Sequence, residues 1–167
     1  MEPSHGFPPI SRLDARLLIL GSLPGRRSIA KQQYYAHPQN AFWPIMRDVF
    51  GIDGDYENRC DGLLANQVAV WDVLRASVRP GSMDADIRAA SSEANDFQEF
   101  LYKHQNVTRV LCNGSKAANM FERLVLPSLD AAPDVVCLPS TSPAFAAMRY
   151  DTKLRIWRDA LTLCCGS

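Results

Sequence analysis

Four short apolar runs constrain the fold of this chain more than any other feature. They span residues 15–21, 68–74, 107–114 and 134–140, and each ends at, or is directly followed by, a glycine or a polar residue. Continuous apolar runs of this length are typical of strands that are buried on both faces, as in parallel sheets. Helix-length stretches separate the runs. This alternation predicts an α/β fold, a three-layer αβα sandwich with a central four-stranded parallel sheet.

The stretches between the predicted strands have helix signals of their own. Residues 26–35 suit a short helix, and residues 41–50 suit a second one that ends at Gly51. Asn40 is placed to cap the second helix, because asparagine is a preferred N-cap residue. Further helices are expected over the ranges 55–67, 97–104 and 115–126 and near the C-terminus. Residues 1–11 are expected to be an irregular lead-in, and residues 75–95 a long loop with a helical turn.

Composition indicates one globular domain over residues 1–167, with 47% hydrophobic and 22% charged residues. The 18 basic and 18 acidic side chains cancel, which disfavours a broad nucleic-acid coat but is compatible with a local basic face. The five cysteines lack metal-site spacing, and Cys112 and Cys137 are expected to be buried free thiols. No metal or cofactor is predicted. Without a leader or a membrane-spanning apolar run, the chain is expected to be cytoplasmic.

The carboxyl ends of the predicted strands indicate where a ligand would bind. Ligands of parallel sheets bind beyond these ends, so residues 21–25, 72–75, 113–116 and 139–145 are expected to converge on one cleft. The cleft would contain glycine-turn N–H groups, a tyrosine ring, two amides and one carboxylate. Such a set suits a planar heteroaromatic ligand that stacks on a ring while amides contact its edge. It is poor in strong acids and bases, and would act mainly by positioning.

Each of these residues also has a structural interpretation. "GSLPG" can be a tight turn, and Asn40 can be only a helix cap. Tyr34 and Tyr35 are adjacent, so at least one of them is expected to be a packing residue. Asp72 can pair with an arginine that follows it, and Phe145 can be a core residue.

The order of five segments resembles the uracil-DNA glycosylase superfamily. The segments are "GSLPG", "YYAHPQNAFW", "VAVWDVLRASVRP", "VLCNGSKAA" and "LPSTSPAF", and together they cover about residues 17–145. The chain departs from the uracil-specific pattern at two places. Ser22 or Leu23 stands where those enzymes carry Asp or Asn, and Leu138 replaces the histidine of the last motif. With these departures the chain resembles the hypoxanthine-DNA glycosylase branch, in which the asparagine of the "PxN" segment is the catalytic residue.

The resemblance implies hydrolysis of the N-glycosidic bond of deoxyinosine in DNA, by a monomer that flips the nucleotide out of the duplex. Asn40 is the implied catalytic residue, and it would orient the attacking water. The implied base-binding residues are Gly21, Ser22, Leu23, Gly25, Tyr35, Asp72 and Asn113. The implied DNA-binding residues are Lys116, Ser140, Ser142, Pro143 and Phe145.

Two alternatives remain open at this point. The same fold can act on uracil, thymine or xanthine, because base specificity depends on the shape of the pocket. A non-catalytic nucleic-acid binder is the other alternative, because the first motif lacks its usual Asp or Asn. A lyase mechanism is disfavoured, since Lys116 is the one lysine in the matching segments.

Overall fold

The computed structural model describes residues 4–77 and 92–162. The β-strands of this part are β1 (Ser4–His5), β2 (Leu17–Gly21), β3 (Val68–Asp72), β4 (Leu74–Ser77), β5 (Glu93–Ala94), β6 (Arg109–Asn113) and β7 (Asp134–Leu138). The α-helices are α1 (Arg26–Lys31), α2 (Phe42–Phe50), α3 (Tyr56–Ala65), α4 (Phe97–Lys103), α5 (Ser115–Leu124) and α6 (Tyr150–Thr162).

The central sheet contains β3, β2, β6 and β7 in that order, and every neighbouring pair is parallel. Leu17 at the start of β2 lies opposite Val68 on one side and Arg109 on the other. The register carries all four carboxyl ends to the same edge of the sheet, with Gly21 opposite Asp72 and Asn113 opposite Leu138. The predicted three-layer αβα sandwich is therefore confirmed.

The buried side chains of β2 alternate between two cores, because successive side chains of a strand point to opposite faces. Leu18 and Leu20 belong to the core that also contains Phe121 of α5. Leu17 and Ile19 belong to the core that contains helices α2 and α6. Both faces of the strand are covered by helices, which explains why its sequence is apolar without alternation.

A second, antiparallel sheet of β1, β4 and β5 differs from the sequence expectation. Within the lead-in, Ser4–His5 forms a strand, and Ile10 forms a bridge to Val70. The predicted strand over residues 68–74 divides at Val73, whose N–H donates to the Gly21 carbonyl at 2.8 Å. The chain then leaves the parallel sheet and pairs with β1. Residues 78–91 of the predicted loop lie outside the described residues.

The first predicted helix is shorter than expected, so Tyr34 and Tyr35 lie outside it. Helix α1 ends at Lys31, and Gln32 adopts a left-handed conformation with φ of 54°. The expectation of a helix over residues 26–35 was therefore wrong beyond Lys31. Tyr35 also has a positive φ, of 55°, so it lies in a turn between α1 and α2.

The expectation of buried thiols at Cys112 and Cys137 is confirmed for Cys112 alone. Cys112 on the inner strand β6 is buried, and burial raises the pKa of its thiol to about 12. Cys137 is exposed, contrary to expectation, because β7 is an edge strand of the sheet. Within residues 4–77 and 92–162, no group of three or more potential metal ligands is found. No helix in this part of the chain is long and apolar enough to cross a bilayer.

Candidate active site

A cavity of about 620 Å³ lies at the carboxyl edge of the central sheet. Gly21 of β2, Asp72 of β3 and Asn113 of β6 line it together with residues 140–145, which follow β7. The four strand ends therefore meet at one cleft as expected, although of residues 72–75 and 113–116 only Asp72 and Asn113 border it. We refer to residues 21–40 as the ring wall and to residues 138–145 as the loop wall. The volume is in the range of small-molecule sites.

Almost every residue that the sequence singled out borders this cavity. Those that do are Gly21, Ser22, Leu23, Gly25, Tyr35, Asn40, Asp72, Asn113, Ser140, Ser142, Pro143 and Phe145. Lys116 does not border it and lies in the first turn of α5. Residues that border the cavity and were not among the predicted site residues are Pro24, Arg26, Arg27, Ser28, Tyr34, His37, Thr141 and Ala144.

The floor of the cavity is formed by a close approach between Gly21 and Asp72. A Cβ atom at position 21 would lie 2.6 Å from Asp72 Oδ1 and 3.2 Å from the Tyr35 hydroxyl oxygen. The carboxylate of Asp72 therefore occupies the space that any other side chain at position 21 would need. Asp72 is only 4% exposed, and the Asn95 side chain donates to its backbone carbonyl at 2.8 Å.

The glycine turn of the ring wall contains no group that can act as an acid or base. Ser22 is 4% exposed, and its buried Oγ makes no hydrogen bond within the described residues. Leu23 is 6% exposed and packs in the core on the α5 side of the sheet. Neither side chain can hold a water molecule as a carboxylate or carboxamide does. A water-orienting group must therefore come from elsewhere in the cavity.

Tyr35 supplies the aromatic surface of the ring wall. Its ring stacks on Phe42, with centroids 4.1 Å apart and an interplanar angle of 26°. Phe42 is fully buried, so one face of Tyr35 is supported by the core. The tyrosine also borders the cavity, where a flat ligand can stack against it.

Tyr34 is the packing member of the tyrosine pair. Its hydroxyl donates to the Pro8 carbonyl at 2.9 Å, and the Trp43 indole N–H donates to the Tyr34 carbonyl at 2.9 Å. Burial, followed by the nearby charge of Asp72, raises the pKa of Tyr34 above its ordinary value. The phenol therefore stays neutral and ties the ring wall to the lead-in.

Asn40 lies at the turn immediately before helix α2 and borders the cavity. Its Oδ1 accepts from the Phe42 N–H at 2.9 Å, so the residue does cap the helix, although Ala41 directly precedes the first helical residue. The backbone N–H of Asn40 donates to the His37 carbonyl at 2.9 Å. Its NH₂ group makes no hydrogen bond within the described residues. The side chain retains donor and acceptor capacity while its position is fixed.

Asn113 is held by a residue that sequence reasoning missed. Its Nδ2 donates to Thr141 Oγ1 at 2.9 Å, and the Thr141 N–H donates to its Oδ1 at 2.9 Å. The Thr141 carbonyl then accepts from the Ala41 N–H at 2.9 Å. Thr141, which is 1% exposed, thus connects β6, the loop wall and the turn that carries Asn40. Nothing in "LPSTSPAF" distinguishes this threonine from its serine neighbours.

Short-range hydrogen bonds shape the rest of the loop wall. Ser140 Oγ accepts from the Ser142 N–H at 3.1 Å, and Ser142 Oγ accepts from the Ala144 N–H at 3.2 Å. Phe145 is 40% exposed, so the interpretation of this residue as a core residue was wrong. Lys153 of α6 donates to the Phe145 carbonyl at 3.2 Å, and its Nζ lies 5.2 Å from the centre of the Phe145 ring.

Lys153 is the second residue that the sequence did not reveal. It is 5% exposed, and this burial lowers the pKa of its ammonium group. Its position near the start of an amphipathic helix gave no signal, because a lysine there is usually on the solvated face. In the fold it supports the exposed ring at the rim of the cavity.

Comparisons with known proteins all assign this chain to one family. The family described as the uracil DNA glycosylase superfamily matches residues 8–161. A Methanosarcina barkeri (strain Fusaro / DSM 804) protein named hypoxanthine DNA glycosylase is 41% identical over 153 residues, which cover 90% of this chain and 82% of that protein. A Methanosarcina acetivorans protein of the same name is 36% identical over 139 residues, covering 77% of this chain and 87% of that protein.

The fold comparison leads to the same group. An NMR structure of a Methanosarcina acetivorans protein, assigned as a uracil DNA glycosylase, superimposes with a TM-score of 0.77. The two chains are 31% identical, and the match covers 96% of this chain and 99% of that one. Both the sequence and the architecture of the chain are therefore similar to those of this group over nearly the whole length.

Proposed function

The chain belongs to the uracil DNA glycosylase superfamily and is a DNA glycosylase that hydrolyses N-glycosyl bonds, and we propose that it releases hypoxanthine from deoxyinosine in DNA. One observation carries the proposal. The glycine turn presents Ser22 and Leu23, which cannot hold water as a carboxylate or carboxamide does, whereas Asn40 borders the same cavity and its carboxamide has hydrogen-bonding groups that are not used. Two relatives named hypoxanthine DNA glycosylase support the choice of base.

The flipped hypoxanthine would lie against the ring wall. Tyr35 is supported from behind by Phe42 and would stack on the purine face. Backbone N–H groups of residues 22–25 would donate to the edge of the leaving base, whose electron density rises as the glycosidic bond breaks. Preorganised N–H donors stabilise a developing anion because they need no reorganisation during the reaction. Asp72 would hold the floor of the pocket behind the base.

Asn40 would position the attacking water molecule. As the bond between C1′ and N9 breaks, its electron pair leaves with hypoxanthine and the sugar becomes oxocarbenium-like. The water oxygen then bonds to C1′, and its proton balances the negative charge of the departing base. The unused lone pair of Asn40 Oδ1 would accept a hydrogen bond from this water, while the Phe42 N–H keeps the carboxamide oriented. The products are free hypoxanthine and an abasic site.

The loop wall would fill the gap that the flipped nucleotide leaves in the duplex. The exposed ring of Phe145 is suited to insertion at a base step, which costs a few kcal/mol of unstacking. Ser140, Ser142 and Pro143 would flank this gap. Lys116 lies outside the cavity in the first turn of α5, where it would contact a DNA phosphate.

The buried Leu138 argues against efficient uracil excision in this proposal. It is 3% exposed and stands where the uracil-specific pattern has a histidine that holds a uracil oxygen. An apolar side chain cannot replace that hydrogen bond. An excision panel of uracil, thymine, hypoxanthine and xanthine against each opposing base tests the specificity. Release of hypoxanthine should exceed that of the other bases, and a panel led by any other base would contradict the proposal.

The role of Asn40 is tested by single-turnover release of hypoxanthine from a deoxyinosine duplex. Asn40→Ala should lower the rate by about 10²- to 10⁴-fold, as expected for loss of a positioned catalytic group. Binding to the duplex should survive. Losing the cap should also lower the free energy of unfolding by about 1 kcal/mol.

Asp55→Ala provides a matched control for the lost cap. Asp55 caps helix α3 by accepting from the Asn58 N–H at 2.8 Å, and it does not border the cavity. The control should lose similar stability and keep its excision rate. If both variants lost activity equally, or if Asn40→Ala cleaved normally, the assignment of Asn40 would be wrong.

A further inference from the structure

A second cavity, of about 390 Å³, lies beside the base pocket and contains several cations. It shares Tyr35, His37 and Asn40 with the first cavity, so the two are separated by little more than this turn. Its cationic side chains are Lys31, Arg47 and Arg59, and its one carboxylate is that of Asp53. The local charge is therefore positive in a chain whose formal net charge is zero.

Arg59 of helix α3 is the most strongly positioned of these cations. Its guanidinium carbon lies 4.8 Å from the centre of the Trp43 ring and 5.9 Å from that of Tyr56. Its Nε is buried and makes no hydrogen bond, and no ion pair involves this side chain within the described residues. Aromatic contacts orient the planar fork of an arginine, which then matches a phosphate or carboxylate.

No group around Arg59 forms an ion pair with its guanidinium within the described residues. Burial raises the pKa of Tyr56 to about 12, so this phenol remains neutral. Asp53 Oδ1 accepts from the Gly54 N–H at 2.8 Å, and Asp48 pairs with Arg47 at 3.1 Å. Lys31, exposed at the end of α1, makes no ion pair within the described residues. Two of the three cations are therefore available for an external anion.

We propose that this second cavity binds a backbone phosphate of the DNA strand that carries the target nucleotide. The inference rests on the proposed function in one respect, namely that the first cavity receives a flipped nucleotide. Because Asn40 and His37 border both cavities, the sugar-phosphate chain of such a nucleotide would pass close to the cavity that Arg59 lines. Arg59 and Lys31 would then hold the strand while Asn40 faces the sugar.

The salt dependence of DNA binding tests this site. The probe is a duplex with a tetrahydrofuran abasic analogue, which needs no assumption about the excised base. Each phosphate contact contributes about 0.9 to the slope of log K against log salt concentration. Arg59→Met and Lys31→Met should each reduce the slope by about this amount and weaken binding about tenfold near physiological salt. Lys31→Met affects no buried contact, so it also covers the case in which Arg59→Met folds poorly.

Arg123→Met is the matched control. Arg123 is exposed on helix α5, which packs on the opposite face of the sheet. Its removal should leave the slope unchanged. A slope that stays constant in both Arg59→Met and Lys31→Met, or that falls equally in Arg123→Met, would overturn the phosphate site.

Neutral methylphosphonates then identify the phosphate. When they are placed singly on either side of the abasic analogue, one position in that strand should remove the affinity difference between wild type and Arg59→Met. Absence of such a position would overturn the proposal, as would coupling found only in the opposite strand. Failure of hypoxanthine excision, measured separately on the wild-type protein, would reject the proposed base and leave these binding results interpretable.

Discussion

The two walls of the base pocket are built by different forces. In the ring wall, Tyr35 stacks at 4.1 Å on Phe42, and Gly21 lies against the carboxylate of Asp72. In the loop wall, Thr141 is held by paired 2.9 Å hydrogen bonds to Asn113. A packed wall resists added volume, whereas a hydrogen-bonded wall resists the loss of a polar partner. The two walls should therefore respond to opposite kinds of substitution.

The same contrast distinguishes the two asparagines of the pocket. Asn113 is 7% exposed and uses both ends of its carboxamide on Thr141. Asn40 uses only its oxygen, on the Phe42 N–H. Identical side chains thus have different uses, because the surrounding backbone groups consume the hydrogen-bonding capacity of one and leave part of the other.

Among the substitutions that compare the packing of the two walls, the largest effect is expected from added volume in the ring wall. Gly21→Ala would place a Cβ 2.6 Å from Asp72 Oδ1, so Asp72 and Tyr35 must move. We expect the free energy of unfolding to fall by about 1–3 kcal/mol, as for other overpacked sites. Single-turnover excision should fall about 10²-fold, because displaced positioning groups cost that much. Chemical denaturation and the excision assay measure the two effects.

Gly51→Ala is the control for this prediction. Gly51 has a positive φ of 72° and no atom within 4 Å of an added Cβ. Its substitution should cost about 1 kcal/mol through backbone strain alone and should spare activity. Normal excision by Gly21→Ala would show that the ring wall is less tightly packed than the contacts indicate.

A similar loss of stability but a smaller effect on excision is expected from the loss of a partner in the loop wall. Thr141→Val keeps the volume but leaves Asn113 Nδ2 without its acceptor. A buried donor left unpaired costs about 1–3 kcal/mol of stability. Because Thr141 also binds the Ala41 N–H, we expect kcat for hypoxanthine release to fall more than KM changes.

Thr141→Ser should restore both stability and kcat, because serine retains the hydroxyl. Rescue of stability without rescue of kcat would limit Thr141 to a structural role. An unchanged kcat in Thr141→Val would remove the proposed link between the loop wall and Asn40.

The smallest stability effect is expected at the rim. Phe145 is 40% exposed, so Phe145→Ala should change the free energy of unfolding by at most about 0.5 kcal/mol. Affinity for a deoxyinosine duplex should nevertheless fall about tenfold, since base-step contacts are worth roughly 1–3 kcal/mol. Tyr102→Ala, at a 75% exposed site on α4, should change neither quantity. Equal affinity losses in the two variants would contradict a specific role for Phe145.

Much of the fold follows from local patterns in the chain. The four apolar runs correspond to β2, β3, β6 and β7. The inner strands β2 and β6 are apolar over most of their length because helices cover both faces of the sheet there, whereas β7 is largely exposed. Parallel pairing then brings the carboxyl ends to one edge, so the pocket could be placed before any side chain was located. Cys137 was misjudged because the runs do not reveal which strand lies at the edge.

The amino-acid pattern was sufficient to indicate the layers of the sandwich, the edge at which the pocket lies and the residue types that border it. The apolar runs and the residues that end them are local features of the sequence, so they can be recognised from neighbouring residues alone. The sequence did not indicate the paired hydrogen bonds between Asn113 and Thr141 or the contact of Lys153 with Phe145. It also did not indicate the second cavity around Arg59. They join residues that are far apart in sequence, and such pairs exist only after packing has fixed the relative positions of strands and helices.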